Sequence, residues 1–263
     1  MNPLVFAALL LTGCTGIVLS FSQARSRAVF ARDGLAQGPR RVIATALLAV
    51  VLMLTVAIPF AAGLAGGEPQ TKNLSIVSLF GVHALLASFL AVYFSLTRGE
   101  TLADFLKIRS SRPAADLSVG VLIGLLGWAL AILALLAVGT IWLLARRRGL
   151  EVPRPSMPST ILWLISRPLT LRIGIVLSAM VVEELFFRSF LQTRVGPVAA
   201  TLMFTAAHGV YGQPLALLGI LVISTVLSVA FAAYGNALPC IIAHGTFDAI
   251  QMFVLIPLAV RGG

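Results

Sequence analysis

Six polar side chains in roughly the last third of the 263-residue chain have the types and spacing to do chemistry. Glu183, Glu184 and Arg188 sit in one apolar run, His208 in a second, and His244 and Asp248 in a third. Residues four apart share a helix face, so Glu184 and Arg188 can pair, with the acid on the favourable N-terminal side. Glu183 points about 100° away from that face and needs a partner on another helix or a proton of its own. His208 and His244 are the candidates for that partner. His244 and Asp248 again share one face. The polar atoms thus reduce to a pair, Glu184–Arg188, and a constellation, Glu183, His208, His244 and Asp248.

Two chemistries suit that constellation. A desolvated carboxylate beside neutral imidazoles can act as a general base towards water. Two histidines with carboxylates equally suit a zinc ion with one position open for water. Both are routes to hydrolysis. No serine lies in a nucleophile-elbow setting and no HExxH helix is present, which disfavours covalent catalysis. Taken singly, the residues have plainer readings. Glu183–Glu184 could be a polar knot between helices, and a lone His208 a satisfied polar contact. His83, which has nothing spaced to meet it, is left as such a contact.

The elements that must position these groups are membrane helices. The chain is 59% hydrophobic and 11% charged, with a mean hydropathy of +1.02. Soluble domains run at about 45–50% apolar and about 25% charged, so a water-soluble enzyme and a disordered chain are both excluded. With about 20 apolar residues needed per crossing, eight spans are expected: 3–22, 42–66, 74–96, 117–145, 170–194, 197–211, 214–235 and 237–260. The expected fold is therefore an all-α polytopic transmembrane bundle of about eight spans in a cell membrane. Four N-terminal spans (1–145) carry no motif. A basic, Pro-rich connection (146–169) opens with Arg146, Arg147 and Arg148 and continues through Pro153, Pro155 and Pro158. The motif-bearing helices follow (170–263).

Of the nine acids, six lie between apolar runs: Asp33, Glu68, Glu100, Asp104, Asp116 and Glu151. The other three are sunk in them, at a cost of about 3 kcal/mol for each ion at the bilayer centre. Such residues are functional candidates by default. The net charge of +10 comes from basic residues between spans, where loops face anionic headgroups. The implied partner is a lipid bilayer and not nucleic acid. Basic loops fall on both sides of an eight-span layout, so the positive-inside rule leaves the orientation open. Cys14 and Cys240 lie in apolar runs without metal spacing and read as small buried hydrophobes. Leu11-Thr12-Gly13-Cys14 looks like a lipoprotein cleavage box, but no basic residue precedes it, so an ordinary first span is expected. The Asn73-Leu74-Ser75 tripeptide carries no weight.

The three runs together resemble the CPBP intramembrane metalloproteases, also called the CAAX prenyl protease 2 or Abi family, whose signature is EExxxR, then FxxxH, then HxxxN or HxxxD. Here these read Glu183-Glu184-Leu185-Phe186-Phe187-Arg188, Phe204-Thr205-Ala206-Ala207-His208 and His244-Gly245-Thr246-Phe247-Asp248. The match covers roughly 170–260. The resemblance implies an endopeptidase acting within or near the bilayer on a membrane-associated, prenylated CAAX-type or small-peptide substrate. By position, Glu183 and His208 would activate water, while His244 and residue 248 would stabilise the oxyanion. Glu184 and Arg188 would hold the motif helix, and Phe204 would line the site. A divalent metal, zinc first, would be held by Glu183, His208 and His244. Asp248 stands where Asn is frequent; a carboxylate donates only when protonated, so Asp248 would be protonated, be a metal ligand, or orient His244 as an acceptor, the last being preferred.

Two other functions fit the same residues. A proton-coupled transporter also uses buried acids and histidines, although no repeated half is visible. A catalytically silent relative would act by binding or immunity. One geometric tension remains: as drawn, His208 ends its span, whereas His244 lies about 10 Å inside the opposite end of the bilayer. The two meet only if their helices are short, tilted or broken, and Gly196-Pro197, Gly212-Gln213-Pro214 and Pro239 offer the breaks.

Overall fold

The computed structural model describes residues 30–35, 38–64, 75–97, 99–152 and 156–262. The expected first span 3–22 with its Cys14 box, Asn73, Glu68, Pro153 and Pro155 lie outside the described residues. Those described form helices joined by short turns, with no strand among them. This is the arrangement an apolar solvent enforces, because every backbone N–H and C=O must be satisfied within its own segment.

Five of these helices are long and apolar enough to cross a membrane. They are α1 (Pro39–Leu64), α2 (Ile76–Leu96), α3 (Pro113–Arg147), α6 (Pro214–Tyr234) and the apolar part, Ala237–Val260, of α7. They correspond to the expected runs 42–66, 74–96, 117–145, 214–235 and 237–260. The run 170–194 forms α4, which is α-helical over Leu169–Glu184, widens to π turns over Leu185–Gln192 and closes with Thr193–Val195. It carries Arg172, Glu183, Glu184, Arg188 and Arg194 and so lacks an uninterrupted apolar stretch. The run 197–211 differs from expectation. Its helix, α5 (Pro197–Ala207), has 11 residues, about 16 Å at 1.5 Å per residue. That is about half the hydrocarbon thickness, so α5 does not cross alone.

Local sequence explains the helix ends. Pro39, Pro113, Pro197 and Pro214 open helices, at a position whose N–H has no intrahelical partner anyway. Ser75 caps α2 through a reciprocal pair with Ser78, and the Asn236 side chain accepts from Leu238 N at 2.9 Å at the start of α7. Gly235, with φ +64°, stops α6 in the left-handed conformation that favours glycine. Inside α1 and α7, π turns at Met53–Ala57 and Gln251–Leu255 lie just before Pro59 and Pro257. The wide turn makes room where the ring would strike the carbonyl four residues back.

Two apolar clusters organise the bundle. One joins α1, α2, α4 and α5 through Leu48, Leu52, Leu86, Phe89, Phe186 and Phe204. Phe190 lies at its aromatic centre, 5.0 Å from Phe89 and 4.7 Å from Tyr93 between ring centroids. Arg194 lies over the Phe190 ring at 4.0 Å and pairs with Asp33 at 2.7 Å. Asp33 also accepts from Tyr93 Oη at 2.7 Å. The second cluster joins α3, α6 and α7 and includes Cys240, buried as expected. There α3 presents a face of small residues to its neighbours. A Cβ on Gly124 would come 2.6 Å from Ala243 O, and one on Gly120 would come 2.8 Å from Pro239 O. The far side of α3, including Leu122, Leu133, Leu136 and Ile141, is exposed, as a lipid-facing surface would be.

Candidate active site

The site is built where α4 changes from α to π geometry, directly after Glu184. Single π turns inside α-helices occur often at functional sites. The two adjacent glutamates diverge as their angular separation requires. Glu184 is fully buried and divides its carboxylate between two helices. Its Oε2 accepts from Arg188 Nε at 3.2 Å and its Oε1 lies 2.9 Å from His244 Nδ1. Arg188, also fully buried, donates from Nη2 to Ser224 Oγ on α6 at 3.0 Å and lies over the Phe204 ring at 5.2 Å. The buried guanidinium is thus met by a carboxylate, a hydroxyl and an aromatic face, as an ion in low dielectric needs, while its Nη1 has no hydrogen-bond partner among the described residues.

Glu183 faces a different set. Its Oε1 lies 3.2 Å from His83 Nε2 on α2, and His83 Nδ1 lies 2.9 Å from Ser178 Oγ, back on α4. Its Oε2 is buried without a hydrogen-bond partner. His208 Nε2 stands 3.9 Å from it.

His208 caps the short helix α5 and opens a 3-10 turn, Gly209–Tyr211. Its Nδ1 lies 2.9 Å from Phe204 O. A carbonyl only accepts, so Nδ1 carries a proton; in the neutral ring Nε2 then keeps its lone pair towards Glu183. The turn after His208 is wedged against α1. A Cβ on Gly209 would stand 2.7 Å from Phe60 Cα and 3.0 Å from Pro59 O, and one on Gly63 would collide with Gly209 O. Glycine is required there because two backbones approach directly.

His244 lies midway along Ala237–Ile250 and is nearly buried. With Nδ1 on Glu184, its Nε2 stands 3.4 Å from Asp248 Oδ2. The Phe204 ring neighbours both imidazoles, 4.7 Å from His208 and 5.9 Å from His244 between centroids. The geometric tension is thereby resolved by length: α5 is too short to carry His208 away from the depth of His244.

All seven residues singled out by sequence (Glu183, Glu184, Arg188, Phe204, His208, His244 and Asp248) therefore meet in one region, but with a different division of partners. His244 joins Glu184, not Glu183, and the place beside Glu183 is taken by His83. The sequence carried one sign of this, a histidine inside an apolar run. Nothing marked Ser178 or Ser224. The expected metal set of Glu183, His208 and His244 is not gathered as ligands: only the first two face each other, and no cluster of three His, Cys, Asp or Glu suited to a metal occurs among the described residues.

Residues 165–250 match the family described as type II CAAX prenyl endopeptidase Rce1-like. That segment spans α4 to α7 and contains all three motifs. No curated protein matches the chain, and no solved structure does.

Proposed function

From the premise that residues 165–250 belong to the Rce1-like type II CAAX prenyl endopeptidases, a family of membrane proteases, we propose that this chain cleaves prenylated CAAX-type peptides in a cell membrane by Glu183- and His208-activated water. One observation carries the reading. Glu183 Oε2 and His208 Nε2 stand 3.9 Å apart, Oε2 has no hydrogen-bond partner, and with the imidazole neutral both atoms are acceptors. A water molecule donating one hydrogen to each satisfies both atoms and is thereby aimed and polarised.

The proton inventory then closes. As the water oxygen attacks the scissile carbonyl, one hydrogen passes to the Glu183–His208 pair, which later returns it to the leaving amine. The tetrahedral intermediate carries its negative charge on the former carbonyl oxygen. His244, held at Nδ1 by Glu184 and neighbouring the same Phe204 ring as His208, is the group assigned to stabilise that charge. Asp248 orients this ring. Glu184 and Arg188 hold the α4 segment that bears Glu183. A buried, water-poor setting strengthens each of these electrostatic effects.

The test is hydrolysis of a farnesylated CAAX peptide by the purified chain in proteoliposomes, beside the unprenylated peptide. Cleavage lost in Glu183→Ala and in His208→Ala supports the reading. Equal behaviour of wild type and both variants across a peptide library overturns it. A pH-dependent flux without proteolysis, lost in Glu183→Gln, would favour a transporter.

A further inference from the structure

We propose that His83, on a helix without any of the three motifs, is a positioning residue for Glu183, with Ser178 holding the imidazole; this rests on the catalytic reading of Glu183. The three groups form a chain that leaves α4 at Ser178, crosses to α2 at His83 and returns to α4 at Glu183, with contacts of 2.9 Å and 3.2 Å. The Ser178 hydroxyl also lies 3.0 Å from Ile175 O, and its one hydrogen goes to one acceptor or the other. If it goes to His83 Nδ1, the neutral ring carries its proton on Nε2, facing Glu183. If it goes to Ile175, Nδ1 donates to Ser178 Oγ, and only a ring carrying hydrogen on both nitrogens then donates to the carboxylate. The first arrangement puts the Nε2–H of a neutral ring on Glu183 Oε1, the second that of an imidazolium.

The consequence is directional. A glutamate side chain has several rotatable bonds, and an unrestrained carboxylate would spread over several rotamers. With Oε1 fixed from α2, Oε2 is the oxygen left for His208 and the water. This is also why one oxygen of Glu183 is satisfied and the other is not.

The seam between α2 and α4 does not need His83 for cohesion. Phe80 packs on one side with Ile175 and Val176, and Phe89 meets Phe186 edge-on at 5.7 Å on the other. An apolar residue at position 83 would continue this seam without the cost of burying a polar group. A polar residue inserted into a sufficient apolar contact points to its partner's chemistry.

Steady-state cleavage of a farnesylated CAAX peptide in proteoliposomes tests this with His83→Ala, His83→Gln, Ser178→Ala and Glu183→Ala. His83→Ala should lower kcat about 10- to 100-fold, the scale of a misplaced reacting group, and leave KM unchanged. His83→Gln, which offers an amide N–H at similar reach, should recover much of the loss, and Ser178→Ala should show a smaller loss. A His83→Ala enzyme with wild-type kcat beside an inactive Glu183→Ala enzyme overturns the proposal and leaves the catalytic reading standing. An active Glu183→Ala enzyme overturns the catalytic reading itself. Should His83→Ala not fold, imidazole 15N spectra of the wild-type chain and of Glu183→Gln decide. A protonated Nε2 whose resonance moves in Glu183→Gln supports the proposal, and an unprotonated Nε2 overturns it.

Discussion

Glu184 Oε1 lies 2.9 Å from His244 Nδ1, across 60 residues of sequence, while the adjacent Glu183 turns to His83 and His208. Two neighbouring carboxylates thus have separate partners, and under the proposed mechanism their variants should separate accordingly. Glu184→Ala strips a buried Arg188 of its charge partner and should cost about 3–5 kcal/mol, together with the orientation of His244. Glu183→Ala should unfold close to wild type while losing turnover by about 10²–10⁴-fold. Thermal unfolding in detergent beside a cleavage assay reads both; equal loss of stability in the two variants would contradict the division.

The position of His208 depends on direct backbone contact between Gly209 and α1. Gly209→Ala would place a Cβ 2.7 Å from Phe60 Cα, where neither backbone yields cheaply. The expected cost is about 1–3 kcal/mol, with a fall in turnover as His208 moves. Gly219→Ala is the control. Nothing lies within 4 Å of its Cβ, so the substitution should be neutral or stabilising by up to about 1 kcal/mol. Melting temperatures of the two variants check this.

The Asp33–Arg194 pair should matter far more than its exposed counterpart. Its side chains are 9% and 7% exposed, and Tyr93 donates to the same oxygen. Asp33→Ala takes the charge partner from a buried guanidinium, which among the described residues keeps only Phe190 O and Thr193 Oγ1, and the acceptor from a buried phenol, and should cost about 3–5 kcal/mol. Asp104→Ala removes a partner of Arg109 in a pair exposed by 42% and 67%, and should cost less than about 1 kcal/mol. Unfolding midpoints of the two variants give the comparison.

Cleavage should persist in 1,10-phenanthroline or EDTA. Glu183 Oε2 and His208 Nε2 face each other, whereas His244 is engaged by Glu184 and Asp248, and the proposed mechanism activates water with the first two alone. Inhibition that added Zn²⁺ reverses would contradict this expectation.

How much was legible in advance follows the distance along the chain between partners. Glu184–Arg188, Phe204–His208 and His244–Asp248 are each four residues apart, and helical geometry alone brings each pair together. The membrane character of the chain, and its fold class, followed from composition. The crossings did not follow as completely. The run 197–211 is apolar enough to look like a span, yet Gly209 and Gly212 give it a turn after Ala207.

The amino-acid sequence by itself determined that this protein is a helical membrane bundle and which polar residues it sinks among apolar ones. It also set which of them share a helix face. Only the tertiary structure decided which faces meet: His83 with Glu183, His244 with Glu184, and Arg188 with Ser224. The reason is physical. A helix that is apolar all round has no amphipathic stripe to show which side turns inward. The rotation of each helix is set instead by close packing at small residues such as Gly120, Gly124 and Gly209 and by the few buried polar groups that must find one another.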